Sequence, residues 1–212
     1  PAYNDYFNLA VSHAYNSDDA ASSTTSFMLT QYYQSILRVL TGFPTLTFNY
    51  QYGDSAGSNM TYIEKHFKTL KKESTTAAVA VSTKLDGDKI VISASLKSKE
   101  ADLYKVNILL LEDNIYSPQY NASESWMHYH NNAIRDAYPQ LVYTDITGTE
   151  WGYVGAESTT HKVFEMPITN SKIVKQNCKV LVIIAAKSAE YDNKFEVVNT
   201  TLGGLNQSKP FE

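Results

Sequence analysis

At 212 residues, with 43% hydrophobic and 19% charged residues, the chain has the composition of a globular protein and not of a disordered one. A formal net charge of −4, with lysines in small groups such as Lys71-Lys72, removes any electrostatic case for nucleic acid or anionic lipid as partner. The longest apolar run, Cys178 to Ala186, is far too short to span a bilayer as a helix.

The first third alternates helix and strand. Phe7, Leu9 and Val11 alternate with polar neighbours and predict a strand over about residues 5–12. The Ser/Thr cluster Ser22 to Thr25 caps a helix expected over 24–40, with Met28 or Leu29, Tyr32, Tyr33, Ile36, Leu37 and Leu40 on its apolar side and Gly42 as its stop. A strand over 46–50 follows, then a polar loop over 53–58. A second helix is expected over 60–73, with Ile63, Phe67 and Leu70 on one side and lysines at its end.

From Thr75 the rhythm changes to short strands separated by turns. Strands are expected over 77–84 and 90–96 around the turn signal Asp86-Gly87-Asp88, and over 104–111, where a nearly continuous apolar run marks a central strand. A long loop over 112–149 precedes strands near 159–168, 179–187 and 195–201. Six or seven strands at this spacing predict an antiparallel β-sandwich of immunoglobulin-like class, with a domain boundary near Ser74. The expected architecture is thus α+β: a 1–74 α/β part followed by a 75–212 sandwich.

The residues offer few chemical constellations. Cys178 is the only cysteine, so no disulfide or Cys-x-x-Cys pair lies within these residues, and its place in an apolar strand makes it a core thiol. Gly53-Asp54-Ser55-Ala56-Gly57 matches the nucleophile-elbow pattern, but the helix starts too late and no parallel sheet follows to carry the acid and histidine. His128 and His130, two apart on an extended segment, are the best metal ligands, yet two spacings fall short of the three or four ligands a site needs. Glu112-Asp113 could suggest acid chemistry on glycosides. Adjacent carboxylates point to opposite faces, however, which is poor geometry for flanking one bond. No cofactor is implied. The 16 tyrosines, twice the number of phenylalanines, fit half-wet strands and recognition surfaces.

The order strand, helix, Gly42-Phe43-Pro44-Thr45, strand, helix resembles the second half of a thioredoxin fold. That likeness would make Pro44 a cis proline facing an active site, and only an X-Pro bond readily plays that part. Asp102-Leu103-Tyr104-Lys105-Val106, Leu110 to Asn114, Pro118-Gln119, His130 to Arg135 and Val197-Val198-Asn199 together resemble one family. It is the Bacteroidetes outer-membrane lipoproteins first named for a twenty-eight-kilodalton antigen. The resemblance implies a lipid-anchored cell-envelope protein with a thioredoxin-like domain before a sandwich, here without the Cys-x-x-Cys part. It also implies a structural polar cluster in which His130, Asn131 and Arg135 tie the long loop to Glu112, Asp113 and Asn114 by charge-assisted hydrogen bonds.

Three functions follow as expectations. The first is a non-enzymatic envelope module, an interaction, scaffold or adhesin-like protein whose partner is an envelope protein or glycan. It would be held at the membrane by an anchor upstream of Pro1, in a mature form trimmed of its targeting segment. The second is a thiol–disulfide oxidoreductase, or a degenerate relative, with its cysteine pair upstream of Pro1. The third is a carbohydrate-binding sandwich using exposed tyrosines with Trp126 or Trp151. A sheet lacking its first strand would also expose an edge suited to homodimerisation.

Overall fold

The computed structural model describes residues 7–14, 16–40, 42–54, 60–189 and 194–211. In chain order these form α1 (Thr24–Ser35), β1 (Leu46–Phe48), β2 (Tyr52–Asp54), α2 (Met60–Leu70), β3 (Ala77–Asp86), β4 (Lys89–Ser98) and β5 (Asp102–Glu112). There follow β6 (Ile115–Tyr116), β7 (Tyr129–His130), β8 (Ala133–Tyr138), β9 (Thr149–Val154), β10 (Thr159–Pro167), β11 (Cys178–Lys187), β12 (Phe195–Gly204) and β13 (Ser208–Lys209).

Two antiparallel sheets make the sandwich, one in the order β10-β4-β3-β13 and the other β12-β11-β5-β8. The β3–β4 hairpin pairs Asp86 with Lys89, and Gly87 supplies the positive φ of 61° that its two-residue turn requires. β5 is long enough to serve two partners. Its first half pairs with β9 and its second half with β8, each across a register shift. Gly148, at φ +97°, lets the chain pass directly over the Val106 carbonyl as it enters β9.

The period-2 pattern decides which residues fill the interior. Val79, Val81, Ile92 and Leu96 from one sheet meet Val106, Ile108, Val182 and Ile184 from the other, all buried. The alternate residues of β5 and β11 are buried as well. Leu109, Leu111, Leu181 and Ile183 form a second cluster on the outer face of the five-stranded sheet, covered by Leu29, Ile134, Leu141 and Ile146. A strand buried on both faces reads as the continuous apolar run seen in each.

That second cluster corrects the expected α+β architecture. Among the described residues the protein is mostly β, with two α-helices, and those of the 1–74 part form no thioredoxin-like α/β domain. α1 packs through Leu29, Met28, Tyr32 and Tyr33 onto the sandwich sheet itself, because that face exposes the leucines and isoleucines that need cover. β1 and β2 make only a three-residue hairpin, bonded to neither large sheet. The strand expected over 5–12 reduces to a parallel bridge between Val11 and Ala133, with Phe7 and Leu9 exposed.

Boundaries differ for local reasons. Ser23 caps α1, its hydroxyl accepting from Ser26 N–H at 3.1 Å and donating to the Ile134 carbonyl at 2.6 Å. The helix ends at Ser35 and not near Leu40, because Ile36 and Leu37 N–H both return to the Tyr32 carbonyl and Arg38 turns left-handed. The long loop expected over 112–149 contains the β6–β7 hairpin and β8. The Phe43–Pro44 and Tyr138–Pro139 peptides are cis.

Candidate functional site

β5 ends in Glu112, and the strand's alternation sends the carboxylates of Glu112 and Asp113 to different partners. Glu112 Oε1 accepts from Val174 N–H at 2.8 Å, and Oε2 lies 3.0 Å from Arg135 Nε, both side chains being 3% exposed. The Arg135 Nε–H is not aligned for a hydrogen bond to that oxygen, so the contact is a buried ion pair. Asp113 Oδ1 accepts from Asn132 N–H at 2.7 Å, and Oδ2 meets Lys179 Nζ at 2.6 Å. Each carboxylate oxygen is thus engaged, which leaves no free acid pair for glycoside chemistry.

Asn114 and Asn132 both adopt left-handed backbone, and Asn114 N–H donates to Asn131 Oδ1 at 2.9 Å. Arg135 also donates to the Ala20 carbonyl at 2.7 Å and the Ser22 carbonyl at 3.4 Å. One guanidinium therefore joins β5, β8 and the segment leading into α1.

His130 Nε2 lies 3.0 Å from the Ser117 carbonyl, whereas His128 Nδ1 accepts from Gln119 N–H at 3.0 Å. The two rings serve different backbone groups and do not converge. Among the described residues no three His, Cys, Asp or Glu side chains are placed to hold a metal ion. His130 instead meets His13, the ring centroids 4.5 Å apart and nearly perpendicular. His13 Nδ1 lies 3.0 Å from Asp19 Oδ2. Burial holds the His13 imidazole below its ordinary pKa, although the Asp19 carboxylate works against this. Burial alone would raise Asp19. Hydrogen bonds from Ala21 N–H, Ser117 and His13 outweigh it and hold the carboxyl below its ordinary value. No local pattern marks Asp19 and Ser117, because long-range pairings such as the Val11–Ala133 bridge and the Ala20–Ser117 hydrogen bond bring residues 10–20 beside 117–134.

The same arrangement opens a cleft of about 2090 Å³ between the N-terminal segment and the outer face of the five-stranded sheet. Leu9, Phe43, Pro44 and Phe67 line its outer parts, with Leu181 and Ile183 at its floor. Tyr33 and Tyr50 stand in its wall, and burial pushes both phenols up, Tyr50 strongly. The Tyr50 hydroxyl is buried without a hydrogen-bond partner. Ser55 of the elbow-like motif lies outside the described residues. Cys178 is buried, its thiol pushed up to about 12 by burial and then by Glu112, so it carries no nucleophilic thiolate at neutral pH. Trp151 is buried and donates to the Thr160 hydroxyl at 2.9 Å, whereas Trp126 is exposed.

No curated protein matches the chain. Among solved structures it is similar to HBP35 of Porphyromonas gingivalis, at 13% identity and a TM-score of 0.66, over 87% of this chain and 59% of that one. A structural-genomics protein of Agrobacterium tumefaciens shares 14% identity at a TM-score of 0.50, over 92% of this chain and 76% of the other. At these identities the likeness is one of fold. This chain spans about 59% of the length of the Porphyromonas protein. The sequence pattern of one family, outer membrane protein Omp28, matches residues 30–206, which runs from the second half of α1 through nearly all of the sandwich. The chain therefore belongs to the outer membrane protein Omp28 family and is a protein of the cell envelope.

Proposed function

We propose that the chain is a non-enzymatic interaction module of the cell envelope that receives an extended segment of a partner protein in the cleft. The cleft itself carries this reading. Its 2090 Å³ exceeds the roughly 300–1,000 Å³ of a small-molecule pocket, so a chain segment fills it better than a metabolite. Its apolar floor supplies affinity. Anchoring by an N-terminal lipid, as in the lipoproteins the sequence resembles, completes the proposal. An acylated mass for the native protein from envelope fractions would support the anchor, and an unmodified mass would remove it.

The test of the module is site-specific photo-crosslinking in the native cell. A crosslinker at Phe43, in the cleft, is expected to give a discrete adduct in the envelope fraction. One at Val163, exposed on the outer face of β10, is expected to give none. Equal labelling from both positions, or none from Phe43, would overturn the proposal.

A further inference from the structure

The β6–β7 hairpin holds an aromatic surface for which the fold has no use. Tyr116 is 58% exposed, Tyr120 91%, Trp126 68% and Tyr129 47%. Tyr116 and Tyr129 are directly opposite in the β6–β7 register, their ring centroids 5.4 Å apart and edge-to-face. Tyr116 also stands 6.1 Å from the His128 ring. The hairpin is also held by hydrogen bonds that involve none of these rings. Ser117 N–H donates to the His128 carbonyl at 2.9 Å, Gln119 N–H to His128 Nδ1, and Met127 N–H to the Glu124 carbonyl at 3.1 Å. The Asn114–Asn131 and Asp113–Asn132 bonds fix its base. Large aromatic rings kept in water on a pre-ordered frame mark a recognition surface.

The chemistry of the surroundings selects the ligand. No lysine or arginine occurs between Lys105 and Arg135, and Glu124 is exposed beside Trp126. The hairpin itself therefore offers no lysine or arginine to an anionic membrane or an acidic polymer, and it presents a carboxylate. The polar groups are neutral amides, Gln119 and Asn121 on the hairpin with Asn114 and Asn131 at its base. His128 adds a donor, because its Nδ1 accepts from Gln119 N–H and the ring proton of the neutral imidazole then sits on Nε2. Flat aromatic faces match the C–H faces of a pyranose, and amides exchange donor and acceptor bonds with its hydroxyls.

We infer that the Ile115–His130 hairpin is a binding platform for a neutral carbohydrate, with Trp126 and Tyr120 as the stacking rings and the surrounding amides reading hydroxyls. It is a second recognition surface, bordering the cleft along Ser117 to Tyr120, with Trp126 and Tyr120 reached from solvent.

Trp126 reports its own occupancy once the buried Trp151 is silenced. The full chain carrying Trp151→Phe would be applied to an array of neutral and acidic glycans. Any glycan that binds would then be titrated against Trp126 emission, with acrylamide quenching as a second readout. Binding is expected to neutral glycans alone, with a change in Trp126 emission and protection from quencher. Trp126→Ala and Tyr120→Ala, both at exposed positions, should each weaken binding about tenfold or more with the unfolding midpoint unchanged. Phe43→Ala, in the cleft, should leave it unaltered. Silence of all neutral glycans, preference for acidic ones, or binding that survives both ring substitutions would overturn the inference. So would loss, on those substitutions, of a protein adduct in place of a glycan.

Discussion

Arg135 ties β5, β8 and the segment before α1 together. It is buried against Glu112 while bonding two carbonyls ahead of α1, so removing it strands a buried carboxylate and frees the N-terminal segment together. Arg135→Met is expected to cost about 3–5 kcal/mol, measured by urea unfolding. Lys68→Ala, which breaks an exposed helical pair with Glu64, should cost less than about 0.5 kcal/mol. His13 adds a pH dependence of definite sign. Its folded pKa lies below the ordinary 6.5, so the unfolded chain binds the extra proton between those two values. The stability His13 contributes is full above about 6.5 and declines as pH falls toward the lower folded value. His13→Gln should flatten that decline when unfolding midpoints are compared across pH 5–8, and an unchanged slope would remove His13 as its source. Cys178, with its thiol near 12, should resist alkylation at pH 8 in the native protein and react at the rate of unfolding.

The elements succeed or fail by what covers them. β3, β4, β5, β11 and β12 lie where their apolar patterns predict, each one to three residues longer than expected. α1 was expected as part of a separate layered domain, yet one leucine decides where it goes. Leu29 is buried on the outer face of the sheet beside Leu181 and Ile183. Leu29→Ala should cost about 2–5 kcal/mol and make the 20–40 segment the first site of limited proteolysis. β8 and β9 were passed over because each is six residues long and takes half of β5 as its partner. Gly148 makes that sharing feasible. A Cβ there would collide with the Val106 carbonyl and come within 2.9 Å of Asn107 Cα, at a φ that side chains rarely adopt. Gly148→Ala should therefore destabilise by at least about 3 kcal/mol in the same urea experiment, chiefly by unpairing β9 from β5.

For the whole molecule, the two-faced burial of β5 and β11 sets a gradient of stability. Their amides should exchange with solvent only on global unfolding. Those of α2 and the β1–β2 hairpin, outside both large sheets, should exchange through local opening. The gradient places the rigid sandwich beneath the cleft and the adaptable elements around its rim, a useful division for a surface that must close on a partner.

The sequence by itself determined most of the sandwich strands, the β3–β4 turn and the place of Cys178 in a buried apolar strand. Each rests on local periodicity, turn chemistry or residue type. The tertiary structure alone decided that α1 covers a sheet face, where no thioredoxin-like layer forms among the described residues. It also decided that His13 meets His130, that Trp126 faces solvent while Trp151 is buried, and that a cleft opens between N-terminal segment and sheet. Those outcomes depend on pairings far apart along the chain, such as Val11 with Ala133 and Arg135 with Ala20, and no local pattern encodes such pairings.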